Sequence, residues 1–304
     1  MKRCRIIYNP TAGRENFKDK IPNVLVKLEQ AGFETSVHET TEKGDATGAA
    51  RLAVERKYDT VIVAGGDGTI NEVVSGIAES DYRPRLGIIP AGTTNDFARA
   101  LHIPKTVEKA VDIIVEGHTE KLDVGKVNEH YFANLSGGGK LTEVSYDVPS
   151  KLKTVIGQLA YLVKGAELLP RLRPIHTRIE YDGNVFEDEI MMFLVANTNS
   201  VGGFEKLAPD ADMSDGLFDL LVLKKANLAE LLRAITSATR GTHFDDPNVI
   251  YVQAKDIKVE TEEKMQLNID GEYGGDLPGV FTNLKQHIEY YLPTEDQKKK
   301  SSGA

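Results

Sequence analysis

The stretch VIVAGGDGTINEVVSGI, Val61 to Ile77, constrains the fold of this chain more than any other. An apolar run passes through two adjacent glycines, an aspartate, a third glycine and a threonine. It then takes up helical spacing at Ile70, Val73, Val74 and Ile77. A buried strand that turns on glycine into a helix belongs to a βαβ unit and implies a parallel sheet. The same alternation surrounds it. RIIYN (Arg5 to Asn9) reads as a buried strand, Ile21, Val24, Leu25 and Leu28 follow at helical spacing, and Gly32 is a stop. FETSVHE (Phe33 to Glu39) alternates as a strand, and Asp45 to Lys57 is alanine-rich and helical. Asp59 to Ala64 is a strand, and RLGIIP (Arg85 to Pro90) is another, ahead of a short helix that ends before Pro104.

After about Leu122 the texture changes. YFANL, HTRIEYDG, EIMMFLVANT, LFDLLVL, NVIYVQA, IKVET and MQLNID are strand-like, with helical segments at Val155 to Leu169 and Leu228 to Thr239. The expected fold is an α/β N-terminal domain with a parallel sheet, followed by a larger, mostly antiparallel β-rich domain. The expected boundaries are 1–122, completed by 284–294 if LKQHIEYYL returns to the first domain, then 123–283, then a disordered polar tail over 295–304. A chain of 304 residues is long enough for two such cores.

Composition narrows the function. The single cysteine, Cys4, excludes an internal disulfide and a multi-cysteine metal site, and points to a reducing compartment. The basic start MKRCRIIYNPTAG has too short an apolar run for a signal peptide, and no stretch is long enough to span a bilayer. A net charge of −9 argues against a nucleic-acid partner, though it leaves room for a local basic patch.

Three polar loops follow three strands: YNPTAGRE (Tyr8 to Glu15), GGDGT, and PAGTTNDFARAL (Pro90 to Leu101). Open α/β sheets bind ligands outside the carboxyl ends of their strands. Gly65, Gly66 and Gly68 allow positive φ and let a ligand approach the backbone closely. Helix-start amides and the helix dipole then favour an anion. Thr69-Ile70-Asn71-Glu72 also matches a capping box, which would make the turn self-contained. Three such loops on neighbouring strands favour the ligand. There is no phosphate-loop lysine, and a helix terminus contributes only about 0.3–1 kcal/mol towards an exposed anion. A triphosphate would need a metal or basic residues as well. Asp67 and Asp96 are candidate carboxylates and Arg14 is a candidate cation.

The β-rich part carries two acidic turns. PDADMSDGLFDLLVL places Asp210, Asp212 and Asp215 just before a strand, where a solvated turn is the plain alternative; the spacing is not that of an EF-hand. LNIDGEYGG places Asp270 and Glu272 after a strand, where Asp-Gly is also a common hairpin turn.

Together, NPTAG, GGDGTINEV, PAGTTNDFARAL, SDGLFDLLVL and LNIDGEYG resemble the diacylglycerol kinase catalytic-domain family, most nearly its soluble bacterial members, from Ile6 to about Leu292. The resemblance implies an NAD-kinase/diacylglycerol-kinase-like fold, with ATP between two domains and its phosphates on GGDGT. It implies nucleotide-binding positions at Asn9, Pro10, Thr11, Ala12, Gly13, Thr40, Gly66, Asp67, Gly68, Thr69, Ile70, Asn71, Glu72 and Thr93. It implies Asp270 as the general base, and a structural Mg²⁺ on Asp215 with main-chain oxygens at Asp212 and Leu217 and nearby Glu272. Asp67 and Asp96 match an acidic network, and Arg14 and Lys164 match basic positions. The implied reaction phosphorylates diacylglycerol to phosphatidic acid, in support of phospholipid and lipoteichoic-acid lipid recycling. The implied partners are ATP, diacylglycerol, an anionic membrane surface and a second copy of the chain, in a cytoplasmic protein held peripherally at the inner face of the membrane. Another lipid alcohol (sphingosine-like or phosphatidylglycerol) remains open as acceptor; NAD kinase and a non-catalytic regulator are more distant alternatives.

A lipid substrate requires a docking surface. SKLKTVIGQLAYLVKGAELLPRLRP (Ser150 to Pro174) carries Lys151, Lys153, Lys164, Arg171 and Arg173 against one acid, Glu167, with apolar residues at helical spacing. A basic amphipathic helix suits a membrane surface or packing on the β domain. Replacing Asp270 by Asn is expected to remove the base and leave the fold intact.

Overall fold

The computed structural model describes residues 1–13, 17–139, 173–199, 207–208 and 211–302. They form two compact units, Met1–Val124 with Gln286–Ala304, and Gly125–Lys285. Arg14, Lys164, Asp210, the helix expected at Val155 to Leu169 and nearly all of the basic Ser150 to Pro174 segment lie outside the described residues.

The first unit alternates as its apolar pattern demands: β1 (Lys2–Tyr8), α1 (Phe17–Gln30), β2 (Phe33–Glu39), α2 (Asp45–Glu55), β3 (Thr60–Gly65), α3 (Asp67–Ala78) and β4 (Arg85–Pro90). The short α4 (Asp96–Ala100) and α5 (Val107–Glu116) follow. The strands run β2-β1-β3-β4, each parallel to its neighbour. Every residue of β3 is buried, as a strand covered on both faces must be. Tyr8 stands opposite Glu39 and Ala64, and Gly65 opposite Pro90. The loops beginning at Asn9, Thr40, Gly66 and Ala91 therefore leave the sheet at one edge.

The chain leaves this unit within β5 (Thr119–Val127) and returns within β15 (Gly279–Tyr291), whose Tyr290 pairs parallel with Leu86 of β4. The last described segment is a helix, α7 (Glu295–Ser302), where composition suggested a disordered tail. It has no apolar face for a sequence pattern to reveal. Its start is held by Thr294, whose amide donates to Gln297 Oε1 at 2.8 Å while Gln297 N returns a bond to Thr294 O at 2.9 Å.

The second unit is antiparallel. It contains β6 (His130–Phe132), β7 (Leu135–Gly139), β8 (Ile175–Tyr181), β9 (Asn184–Ala196), β10 (Phe218–Lys224), α6 (Leu228–Arg240), β11 (Val249–Ala254), β12 (Asp256–Thr261), β13 (Gln266–Ile269) and β14 (Glu272–Asp276). The strand order is β14-β13-β7-β9-β8-β12-β15, with β10 on β9 and β11 on β10. Alternate residues of these strands point inward, and Phe132, Phe193, Phe218 and Phe281 meet there. Phe132 stacks on Phe218 at 5.5 Å and Phe193 meets Phe281 edge-on at 6.0 Å. The α/β-then-β architecture agrees with the fold class expected from the sequence.

Candidate active site

The turn from β3 to α3 uses neither of two local features that its sequence allows. None of Gly65, Gly66 and Gly68 has positive φ; Gly66 is extended, at φ −91° and ψ −177°. Gly65 and Gly66 are needed for room. A Cβ on Gly65 would lie 2.6 Å from the Thr69 Cβ, and one on Gly66 would lie 3.2 Å from the Gly92 Cα. A Cβ on Gly92 would come within 2.5 Å of the Gly66 Cα. In the first loop Gly13 does have positive φ, +67°, and its Cβ would fall 2.0 Å from the Ala91 oxygen. Three loops thus pack main chain to main chain.

The capping box does not form either. Helix α3 begins at Asp67, so Thr69 already lies within its first turn, and the N-cap Gly66 has no side chain to offer. Glu72 is one turn too far along to reach back. Instead its Oε1 accepts from Gly44 N at 2.9 Å and its Oε2 from Ala46 N at 3.2 Å, so it caps α2. Thr47 Oγ1 donates to the Glu72 main-chain oxygen at 2.9 Å. Asp67 behaves similarly: Oδ1 accepts from Phe97 N at 3.1 Å, at the start of α4, and Oδ2 from Thr94 Oγ1 at 3.0 Å. Both carboxylates of GGDGTINE therefore serve neighbouring backbone. The first amides of α3 have no intrahelical carbonyl to bond, and with the helix dipole they make an arrangement that suits an anion.

The other expected nucleotide residues gather around it to different degrees. Asn9 Oδ1 accepts from Thr11 N at 2.9 Å and Thr11 Oγ1 at 2.8 Å, and its Nδ2 donates to Thr69 Oγ1 at 3.4 Å. Pro10 and Ala12 lie in the turn closed by Ala12 N donating to Asn9 O at 3.3 Å. Thr40 N donates to Tyr8 O at 2.9 Å, and the next residue, Thr41, donates its amide to Asp45 Oδ2 at 2.8 Å. That amide bond is the main reason the Asp45 carboxyl titrates below its usual range. Burial and the neighbouring Glu39 carboxylate push the Tyr8 phenol up to about 12. Ile70 is buried and its amide bonds to Gly66 O, so its side chain belongs to the core. Thr93 is exposed on the third loop. Asp96 is buried, with Arg99 Nη1 at 3.3 Å. Asn95, to which the motif assigned no role of its own, holds this loop shut: Oδ1 accepts from Gly92 N at 2.8 Å and Nδ2 donates to Gly92 O at 2.9 Å.

In the second unit, Asp270 and Gly271 form a two-residue hairpin between β13 and β14, both with positive φ, 47° and 91°. This is the hairpin turn Asp-Gly favours. The Asp270 side chain turns back onto the segment before β7. Its Oδ2 accepts from Ala133 N at 2.8 Å, and its Oδ1 from Asn134 N at 3.0 Å and Leu135 N at 2.8 Å. A buried polar set surrounds that segment. Thr198 donates to Asn134 Oδ1, Asn197 Nδ2 to Ala133 O at 3.1 Å, and Ser136 Oγ to Asn268 O at 2.8 Å. The sequence reading missed this set, because Asn and Ser next to strands read as ordinary turn residues. In Asp270→Asn an amide NH₂ would face one of these main-chain N–H groups, so the variant carries a stability cost even with its fold intact.

At the Asp212–Leu217 turn, Asp212 Oδ1 accepts from Ser214 N and Oγ, at 2.9 and 2.7 Å, and Asp215 Oδ1 accepts from Leu217 N at 2.8 Å. Among the described residues no three His, Cys, Asp or Glu side chains are grouped to hold a metal ion, so Asp212, Asp215 and Glu272 are not drawn into one carboxylate cage. What the turn offers is hard oxygen, in carboxylates and in the Leu217 carbonyl, and that donor type fits Mg²⁺.

A parallel α/β unit with three glycine-bearing loops at one sheet edge, one of them opening a helix, is an arrangement suited to a phosphate-bearing ligand. Residues 3–127 match the model described as "Diacylglycerol kinase catalytic domain", and residues 144–290 match "YegS C-terminal NAD kinase beta sandwich-like domain". A relative from Bacillus subtilis named "Diacylglycerol kinase" is 61% identical, over 97% of this chain and 98% of its own. One of the same name from Staphylococcus carnosus is 57% identical, over 97% and 96%. A crystal structure of a diacylglycerol kinase from Bacillus anthracis str. Sterne is 28% identical, covers 96% of this chain and 97% of its own, and gives a TM-score of 0.74. A second solved chain from that organism, 30% identical with the same coverage, gives 0.83. The chain belongs to the diacylglycerol kinase catalytic-domain family.

Glu72→Ala removes two acceptors from the start of α2. It is expected to cost about 0.5–2 kcal/mol in stability, the range for loss of a helix cap. Amide exchange at Gly44 and Ala46 should accelerate with it. Unchanged exchange at those two amides would show that Glu72 does not cap α2 in solution.

Proposed function

We propose that the chain is an ATP-dependent diacylglycerol kinase. The acceptor's free hydroxyl oxygen bonds to the γ-phosphorus, the bond from that phosphorus to the ADP oxygen breaks, and the products are phosphatidic acid and ADP. The observation that carries this reading is the near-full-length identity to relatives of that name. The site supports it. Phosphoryl transfer relies on positioning and charge neutralisation. The start of α3, framed by the Asn9–Gly13, Thr40 and Thr93 loops, supplies oriented main-chain donors for phosphate oxygens.

Asp270 takes the hydroxyl proton in this reading. Its three amide partners fix the carboxylate in direction, which suits a general base. Asp212, Asp215, Leu217 and Glu272 offer oxygens to a structural Mg²⁺, while Asp96, Arg14 and Lys164 support the charge balance. Mg²⁺, when bound with ATP, supplies the neutralising charge that the missing phosphate-loop lysine does not. The enzyme acts at the cytoplasmic membrane surface, as a homodimer, in lipid recycling. Among the described residues no helix is long and apolar enough to cross a membrane.

ATP consumption across diacylglycerol, sphingosine and phosphatidylglycerol in mixed micelles, with NAD in solution as a further acceptor, tests the substrate. Diacylglycerol is expected to be turned over fastest, and preference for another acceptor would replace it. Asp270→Asn is expected to lower kcat by roughly 10²–10⁴-fold. It should also lower the unfolding midpoint, because one amide donor loses its acceptor. Assays well below that midpoint separate the two effects, and a near-wild-type kcat there would remove Asp270 as the base. Neutralising Lys151, Lys153, Arg171 and Arg173 together should strongly weaken binding to anionic vesicles. Each basic residue near such a surface contributes about 1 kcal/mol. Sedimentation like that of wild type would place the docking surface elsewhere.

A further inference from the structure

Thr40, one of the positions expected to meet the nucleotide, is the first residue after β2. Its main chain is pinned on both sides. The Thr40 amide donates to Tyr8 O at 2.9 Å, which ties it to β1. The next residue, Thr41, donates its amide at 2.8 Å and its hydroxyl at 3.1 Å to Asp45 Oδ2, in the first turn of α2. The other oxygen of Asp45 is engaged by a histidine. His38 Nε2 lies 2.9 Å from Asp45 Oδ1, so a bond across seven residues closes the loop that carries Thr40. The His38 and Asp45 side chains are only 28% and 22% exposed, so this is not a freely solvated surface pair.

Which nitrogen of His38 carries the hydrogen follows from its other neighbour. Arg5 stands opposite Ser36, two residues before His38 and on the same face of the sheet. Its Nη2 lies 3.4 Å from His38 Nδ1. A guanidinium can only donate, so Nδ1 accepts and, in the neutral ring, Nε2–H donates to Asp45. Asp45 is then the common acceptor for His38 and Thr41. The start of α2 that bears it is also bonded to α3, through Glu72 on Gly44 N and Ala46 N. We propose that His38 is a positioning residue for nucleotide binding, which fixes the Thr40–Thr41 turn through Asp45 in the conformation the nucleotide meets. The inference rests on the ATP-dependent reading given above, and adds to it a side chain that acts without touching the nucleotide.

The test uses the full chain, with ATP as the varied substrate and a short-chain diacylglycerol held saturating in mixed micelles. His38→Leu keeps a side chain that suits a strand and removes the donor. It is expected to raise KM for ATP about tenfold, the size of one hydrogen bond to a charged group. Its kcat should change little, the pattern of lost uniform binding. His38→Gln can offer an N–H to Asp45 and an oxygen to Arg5, so it should restore KM. Asp45→Ala should raise KM at least as much as His38→Leu, and combining the two should raise it no further, because His38 acts through Asp45. Amide exchange at Thr41 should accelerate wherever KM rises. With assays run well below each unfolding midpoint, a merely structural role would lower the midpoint and leave KM for ATP unchanged. Unchanged KM in His38→Leu overturns the proposal, and so does a His38→Leu effect that persists in full on top of Asp45→Ala. A His38→Gln variant as weak as His38→Leu overturns the hydrogen-bond route. Should His38→Leu not fold, wild-type KM in Asp45→Ala overturns the proposal in its place. Wild type that consumes no ATP with diacylglycerol sinks the ATP-dependent reading itself, and this proposal with it.

Discussion

The nucleotide side of this protein depends on a contact between two backbones. Gly66 follows β3 and Gly92 follows β4, and the register that sets Gly65 opposite Pro90 brings them face to face. A side chain at Gly92 does not fit between them: even the methyl of an alanine there would meet the Gly66 Cα at 2.5 Å. This approach, with Gly13 against Ala91, draws three loops into one surface. It also sets where the carboxylates of the GGDGT helix are held. Asp67 is within reach of α4 because the two loops touch, and Glu72 is within reach of α2 because α3 packs beside it. Each carboxylate is held by backbone donors of a neighbouring helix, so the start of α3 is left to its own amides and dipole.

The second unit uses the same device to a different end. The Asp270–Gly271 turn is a tight hairpin, yet its carboxylate is the acceptor for three consecutive amides at the entry to β7. A hairpin turn and a base are therefore not competing descriptions of Asp270. The turn supplies a rigid mount, and the amides fix where the carboxylate points. A substitution there alters this backbone support, so a loss of activity in a variant has meaning only beside its stability.

Much of the fold was legible in the sequence because the signals are local. The apolar run of β3 and the helical spacing of Ile70, Val73, Val74 and Ile77 lie within one short stretch, and the structure follows them. The strand-like runs of the second unit reappear as β8 to β13 for the same reason. What the sequence could not disclose is non-local or masked by composition. β14 reads EYGGD, too rich in glycine for a strand pattern, and β15 carries Lys285, Gln286 and His287 in mid-strand. The partners of Asp67, Glu72 and Asp270 stand about 30, 28 and 137 residues away along the chain. Thr69 to Glu72 matched a capping box in spelling, but the helix starts at Asp67, so the pattern falls in the wrong turn.

The same distinction decides how far the site itself could be read. A motif names residue types at a spacing, and the three loops were recognisable at that level. It does not say whether a glycine is there for its φ or for its missing Cβ, and the two predict different mutants. At Gly13 both apply, so alanine meets backbone strain as well as the Ala91 oxygen. At Gly66 only space applies, and the extended backbone would accept alanine if the third loop could give by a few tenths of an ångström. Asn95 holds that loop through both of its amide atoms, on the amide and the carbonyl of Gly92. The tolerance of the GGDGT turn is therefore set outside the turn, by how firmly Asn95 fixes Gly92 against it.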